Sequence, residues 1–172
     1  FKDIKEALAF YVLQYAAGVG ASTKWGASNG ALTRAIANDN VGVSAFNASY
    51  SDTGLFGFTV AGDGRDIGRA IDAGVKALKT GSVSDADVAR GKAQLKAETL
   101  YFVDNVAGLG YMLGNQAKNG DGQVMSAKAL CDAIDSVQTS DCRAALKKVA
   151  NSKLSIGAVG NLANVPHPNE IN

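Results

Sequence analysis

Histidine is nearly absent from this sequence of 172 residues: it occurs once, at His167, flanked by Pro166 and Pro168. Zinc catalysis on a helix needs two histidines on one face and a carboxylate to polarise water. This chain by itself does not hold that donor set. Glutamate is scarce as well, with Glu6, Glu98 and Glu170 only, and no pair of them stands at ligand spacing with the histidine. The two cysteines, Cys131 and Cys142, lie eleven residues apart and form no C-x-x-C. That excludes common zinc and redox motifs and leaves two half-buried thiols in a reducing compartment. Only 2 prolines occur, against 20 glycines, which argues against collagen-like or proline-rich linker material. No unbroken apolar run approaches the ~18–20 residues that span a bilayer, so membrane association is expected only through partners. Net charge is +1, which gives no reason to expect nucleic acid or an acidic membrane surface.

What is present is an ordinary globular balance: 47% hydrophobic and 19% charged residues. The length suits one domain, 1–172, able to bury a core without staples. The chain opens at Phe1, inside a helical pattern and without Met, so a fragment or a processed product is expected.

Along the chain, Phe1 to Ala17 is amphipathic. Ile4, Leu8, Tyr11 and Tyr15 fall at helical spacing, broadened by Ala7, Phe10, Leu13 and Ala17. Gly18 and Gly20 end the helix. Ser28 or Asn29 caps a second helix to Asn38 that carries Leu32 and Ile36. Val41 to Tyr50 alternates, with Val41, Val43, Ala45, Asn47 and Ser49 on one side. Ser51-Asp52-Thr53-Gly54 is a turn and Leu55 to Val60 answers it, which predicts an antiparallel hairpin. Phe46, Phe56 and Phe58 are expected mostly in the helix–sheet core. Ile67, Ile71, Val75 and Leu78 mark the next helix, stopping near Gly81. Ser84-Asp85-Ala86-Asp87 is a capping signature that opens a helix to about Asp104. Ala107 to Lys118 reads as a helix whose Gly108, Gly110 and Gly114 allow close packing. Two further helices cover Ser126 to Val137 and Ser140 to Asn151, the second capped by Thr139 or Ser140. Lys153 to Val159 reads as a final strand, and Val165-Pro166-His167-Pro168 begins a polar tail. The order gives an α+β domain: an antiparallel or mixed sheet covered on one face by helices.

Several motifs fall away on spacing. GVGASTKWGASNG lacks G-x-x-x-x-G-K-[ST] and follows a helix, not a strand, so it is no phosphate loop. Gly62-x-Gly64-x-x-x-Gly68 follows a strand but misses the dinucleotide fingerprint and reads as a turn. No G-x-S-x-G occurs, which leaves no serine-hydrolase elbow. Asp85 and Asp87 read as capping acids, and Lys147, Lys148 and Lys153 as a solvated face.

One resemblance runs along the chain. VSAFNASYSDTGLFGFTV and the C-terminal SIGAVGNL resemble the C-terminal half of the second core subunits of mitochondrial ubiquinol–cytochrome c reductase. That family belongs to the pitrilysin/insulinase-like metallopeptidase superfamily, with the mitochondrial processing peptidase. The resemblance implies a peptidase-superfamily half-fold without a peptidase site. It implies a non-catalytic scaffold on the matrix side of the mitochondrial inner membrane, with no haem or iron–sulfur centre and no metal of its own. Implied partners are the homologous first core subunit, other subunits of the cytochrome bc complex and an upstream N-terminal domain. It also implies an apolar strand just before the first helix, so the sheet of 1–172 is expected to lack its first strand. Two alternatives stand beside this. One is a presequence-binding non-catalytic subunit of the processing peptidase. There a glycine-rich loop handles peptides, and Gly18, Gly20, Lys24, Trp25, Gly26 and Gly30 occupy the corresponding place in a diluted form. The other is a C-terminal fragment of a pitrilysin-like zinc peptidase.

Overall fold

The structure, a computed structural model, describes residues 4–20, 29–37, 40–50, 53–80, 83–119 and 124–171. In chain order these form α1 (Ile4–Ala17), α2 (Ala31–Ile36), β1 (Val41–Ser49), β2 (Gly54–Gly62) and α3 (Ile67–Thr80). Then come α4 (Asp85–Val103), α5 (Val106–Asn119), α6 (Ala127–Ser136) and α7 (Thr139–Ala150). Helices and an antiparallel sheet make the expected α+β domain.

α1 is the shared wall of two apolar clusters. One face packs Leu8, Ala9, Val12 and Leu13 against α4, α6 and α7. Its C-terminal end, through Ala17, joins Leu32 of α2, Val41, Val43 and Ala45 of β1, and Ala70 of α3. The buried face is Leu8, Ala9, Val12, Leu13, Ala16 and Ala17: of the expected face Leu8, Leu13 and Ala17 are buried, whereas Tyr11 and Tyr15 are half-buried and Ile4 is exposed. The alanines decide this: they let neighbouring backbones approach closely. α4 uses the same device at Gly91, where a Cβ would meet Val12 O at 2.8 Å and Ala16 N at 2.9 Å. Tyr15 instead stays at the rim and donates to Glu98 Oε2. Burial, reinforced by that carboxylate, raises its phenol well above the usual range.

The predicted antiparallel hairpin forms, with Val43 opposite Val60 and Ala45 opposite Phe58. Val41, Val43 and Ala45 point to the helices and are buried. Phe58 and Phe56 share that face but are only half-buried, Phe56 meeting Phe10 at 6.1 Å between ring centroids. Phe46 lies on the opposite face, where its ring covers Gly57. The expectation of a buried Phe46, Phe56 and Phe58 core is therefore wrong, since none of the three is fully enclosed. Alternation forces Phe46 outward when Ala45 points in, and the outer side of β2 is open.

Other expectations are corrected. α2 is capped by Gly30 and not by Asn29, and Ser28 lies outside the described residues. α7 starts at Thr139, and the Gln138 N–H before it donates to Asp141 at 2.9 Å. In α5, only Gly108 makes a close approach, to the Phe102 carbonyl; Gly110 and Gly114 face open space. α5 rests chiefly on α4 and leaves Tyr101, Val106 and Tyr111 exposed. Residues 153–159 form no strand. Among the described residues the sheet is two-stranded, β1–β2, so this segment has no paired neighbour. The tail folds back: Asn164 donates to the Gly64 carbonyl at 2.8 Å, and Ile171 is buried with its carbonyl near Lys79 Nζ.

Candidate functional site

Of the six residues in the predicted loop, Gly18, Gly20 and Gly30 are described; Lys24, Trp25 and Gly26 lie outside the described residues. The described three are built into the junction of α1, α2 and β1. Gly18 takes φ +120° and Gly20 φ +85°, a region where side chains are strained. Turning there lets the Gly18 carbonyl accept the Ala45 N–H at 2.7 Å, tying the end of α1 to β1. Gln14 Nε2 adds a second tie to the Ala45 carbonyl at 3.3 Å. Gly30 backs onto Ala17 and Gly18 so closely that a Cβ would overlap the Ala17 carbonyl. The two flanks of segment 21–28 are thus held side by side.

A cluster of charges braces the second flank. Asp87, at 3% exposure, is the one buried charged residue among those described. Arg34 of α2 donates to both its oxygens, at 2.8 and 2.9 Å. Arg90 adds a bond at 2.8 Å and the Ser84 hydroxyl one at 2.6 Å. Burial opposes ionisation of Asp87, but the bonds from Ser84, Arg34 and Arg90 outweigh it and hold the carboxyl at about 2. Arg34 also donates to the Asn29 carbonyl and Arg90 to the Ala16 carbonyl at 2.9 Å. One carboxylate therefore links α2, α4, the end of α1 and the residue just after the loop. The sequence shows Asp87 only as a capping acid. That role is real, for Ser84 Oγ accepts the Asp87 N–H at 3.1 Å. The arginine 53 residues away gives no local signal.

The second concave feature is a groove of about 1280 Å³ between β2, α3 and the segment 152–162. Its lining is mostly apolar, with Phe56, Phe58 and Val60 on one wall and Ile71 and Val75 on another. His167 sits apart in an exposed turn, its N–H donating to Glu170 at 2.8 Å. Among the described residues no group of three His, Cys, Asp or Glu is placed to hold a metal. Cys131 and Cys142 are both free. No described helix is long and apolar enough to cross a membrane. The described residues offer surfaces and braces; they do not assemble a nucleophile with its base.

No family model matches the chain. Curated relatives do. Cytochrome b-c1 complex subunit 2 of Mus musculus is 38% identical over 173 residues, covering 96% of this chain and 38% of the relative. The Homo sapiens protein of that name is 36% identical over the same span. The mitochondrial-processing peptidase subunit beta of Saccharomyces cerevisiae is 31% identical over 129 residues, 72% of this chain and 28% of its own. The chain thus spans under two fifths of the length of the subunit 2 relatives. Among solved structures, a chain of Complex III2 from Candida albicans, Inz-5 bound, superposes with a TM-score of 0.65 at 20% identity. It covers 86% of this chain and 37% of that one, and it shows the fold. Identity of this level along nearly the whole sequence makes the chain a member of the cytochrome b-c1 complex subunit 2 family, related more distantly to the processing peptidase subunits.

Proposed function

We propose that this chain is part of a non-catalytic core subunit of the mitochondrial ubiquinol–cytochrome c reductase complex, scaffolding its matrix side. Its partners are the homologous first core subunit, other subunits of the complex, and its own N-terminal domain. It sits peripherally at the inner membrane and reaches the bilayer only through those partners. One observation carries the reading. The match to subunit 2 covers 96% of the chain at 36–38% identity, whereas the yeast processing peptidase matches at 31% over 72%. The single histidine of this chain supports the non-catalytic reading, because the zinc helix of the wider superfamily needs two. Affinity purification of the tagged full-length protein from its own mitochondria tests this. Co-purification with the reductase subunits, and loss of assembled reductase on depletion, is the expected result. A complex with a processing peptidase subunit, and loss of presequence cleavage on depletion, would sink the proposal.

The second reading, a surviving peptide loop at Gly18, Gly20, Lys24, Trp25, Gly26 and Gly30, has one structural support. Gly18 and Gly30 hold the loop flanks together. Trp25 is the single tryptophan, so its fluorescence reports on the loop directly. Titrating an amphipathic presequence peptide shifts the emission saturably if the loop binds it, and a flat titration discards the reading.

A further inference from the structure

α5 has little of its own to rest on. It spans 14 residues, a length at which an isolated helix is marginal in water. Gly108, Gly110 and Gly114 weaken it further, since glycine is a poor helix former. Its support is α4, together with Gln116, which bonds the backbone of Met125. Among residues 106–118 only Gly108 is buried. The exposed side is apolar all the same. Ala107, Gly110, Gly114 and Ala117 follow at i, i+3, i+7 and i+10, so they form one seam along the helix. Val106 flanks the seam on one side and Tyr111 on the other, exposed by 89% and 67%. Phe102 stands edge-on to Tyr111 at 5.9 Å and carries the apolar surface on to Leu100 and Tyr101 at the end of α4. These five large side chains bare on the order of 600 Å², counting about 200 Å² for a whole one. Monomeric proteins rarely leave so large an apolar patch in water. With the bare backbone along the glycines, the face approaches the ~800 Å² that each partner gives to a standard interface.

The seam is its own complement. Gly110 and Gly114 are centred on residue 112, and so are Ala107 and Ala117. If a second α5 lies antiparallel across the first, Gly110 of each copy meets Gly114 of the other, and Ala107 meets Ala117. Small residues on both sides let the two backbones approach closely, and Val106 and Tyr111 fill the flanks. The charges match in the same arrangement. Asp104 precedes α5 and Lys118 lies in its last turn. Both are exposed, and neither is in an ion pair among the described residues. Antiparallel packing brings Lys118 of each copy toward Asp104 of the other, whereas parallel packing would bring like charges together. We infer that the exposed face of α5 is a homodimer contact, on which a second copy of this chain packs antiparallel about a two-fold axis beside residue 112. The contact needs no reductase subunit, so it and the scaffold reading fail separately.

The test uses the purified full-length protein, free of other subunits. Sedimentation velocity over a concentration series should show a monomer–dimer equilibrium with a Kd of about 1 µM or tighter. Gly110→Leu drives a wedge into the seam without touching its own chain, because no atom lies within 4 Å of a Cβ at Gly110. It should weaken the dimer at least ~30-fold, as the loss of a hot-spot contact does. Orientation is read by disulfide trapping in a Cys131→Ser background, which removes the partly exposed native thiol. Gly110→Cys protein mixed with Gly114→Cys protein should form a disulfide between those two positions under mild oxidation, mapped by peptide analysis, and neither variant should do so alone. A protein still monomeric at about 100 µM, a hundredfold above the expected Kd, overturns the inference. So does a dimer that Gly110→Leu leaves intact, a disulfide that each variant forms by itself, or a seam that is covered only after another subunit is added.

Discussion

Asp87 gathers a serine and two arginines on one carboxylate, and its acidity makes that arrangement measurable. Its folded carboxyl titrates at about 2, whereas an unfolded aspartate titrates near ~3.9. The unfolded chain therefore takes up the proton first. The stabilisation is complete above about pH 5 and is lost as pH falls through 4 toward 2. A difference of this size is worth about 2 kcal/mol. Asp87→Asn should lower stability at pH 7 by about that amount, because Arg90 and Arg34 lose their counter-charge. It should also flatten the pH dependence between 5 and 2. Urea unfolding of both proteins at several pH values measures this. Parallel stability curves for the two would show that the acid sensitivity resides elsewhere, for example at Asp141, whose carboxyl is also held low by the Gln138 N–H and Lys5.

Glycine has opposite meanings in two neighbouring helices. In α4, Gly91 is where the backbone of α1 comes closest. Gly91→Ala gains helix propensity of about 1 kcal/mol at most, but forces the α1 backbone away. Overpacking of that kind costs about 1–3 kcal/mol, so a net loss is expected. In α5, Gly110 and Gly114 have nothing within 4 Å. Gly114→Ala should stabilise by about 0.5–1 kcal/mol, by propensity and a less flexible unfolded chain. Thermal unfolding of the two variants side by side decides it; a neutral Gly91→Ala would mean that α1 and α4 are farther apart than described. The same pair shows what was legible beforehand. Spacing placed the helices, and the alternation on either side of a turn-forming stretch placed the hairpin. Ser84 announced its own cap. These signals are local, within a turn or a strand pair. Which glycine touches a neighbour depends on how helices cross, and no spacing rule holds that. The link from Arg34 to Asp87, the docking of Ile171 and the unpaired course of 153–159 likewise depend on elements far apart in sequence. Residues 153–159 carry the alternation of a strand, yet a strand also needs a partner edge.

At the scale of the molecule, α1 joins both clusters, so neither can open widely without disturbing the other. Cys142 lies in the first of them, fully buried, its sulfur 3.8 Å from the Ala9 carbonyl. Burial, with Asp141 adding and Lys92 opposing, pushes its thiol up to about 11. Only a thiolate attacks a thiol reagent, so at pH 8 this sulfur is both screened and protonated. Cys131 is partly exposed. A thiol reagent in native buffer should therefore give two phases, Cys131 first and Cys142 much later. The slow phase proceeds only through opening, at the intrinsic rate multiplied by the fraction of molecules open. Removing the Asp87 carboxylate should speed it about 30-fold if about 2 kcal/mol is lost, since each 1.4 kcal/mol is tenfold. Equal rates for both cysteines would mean that the α1–α7 seam opens on its own. If the two phases separate, the buried sulfur works as an internal clock, timing each excursion from the folded state without any added dye.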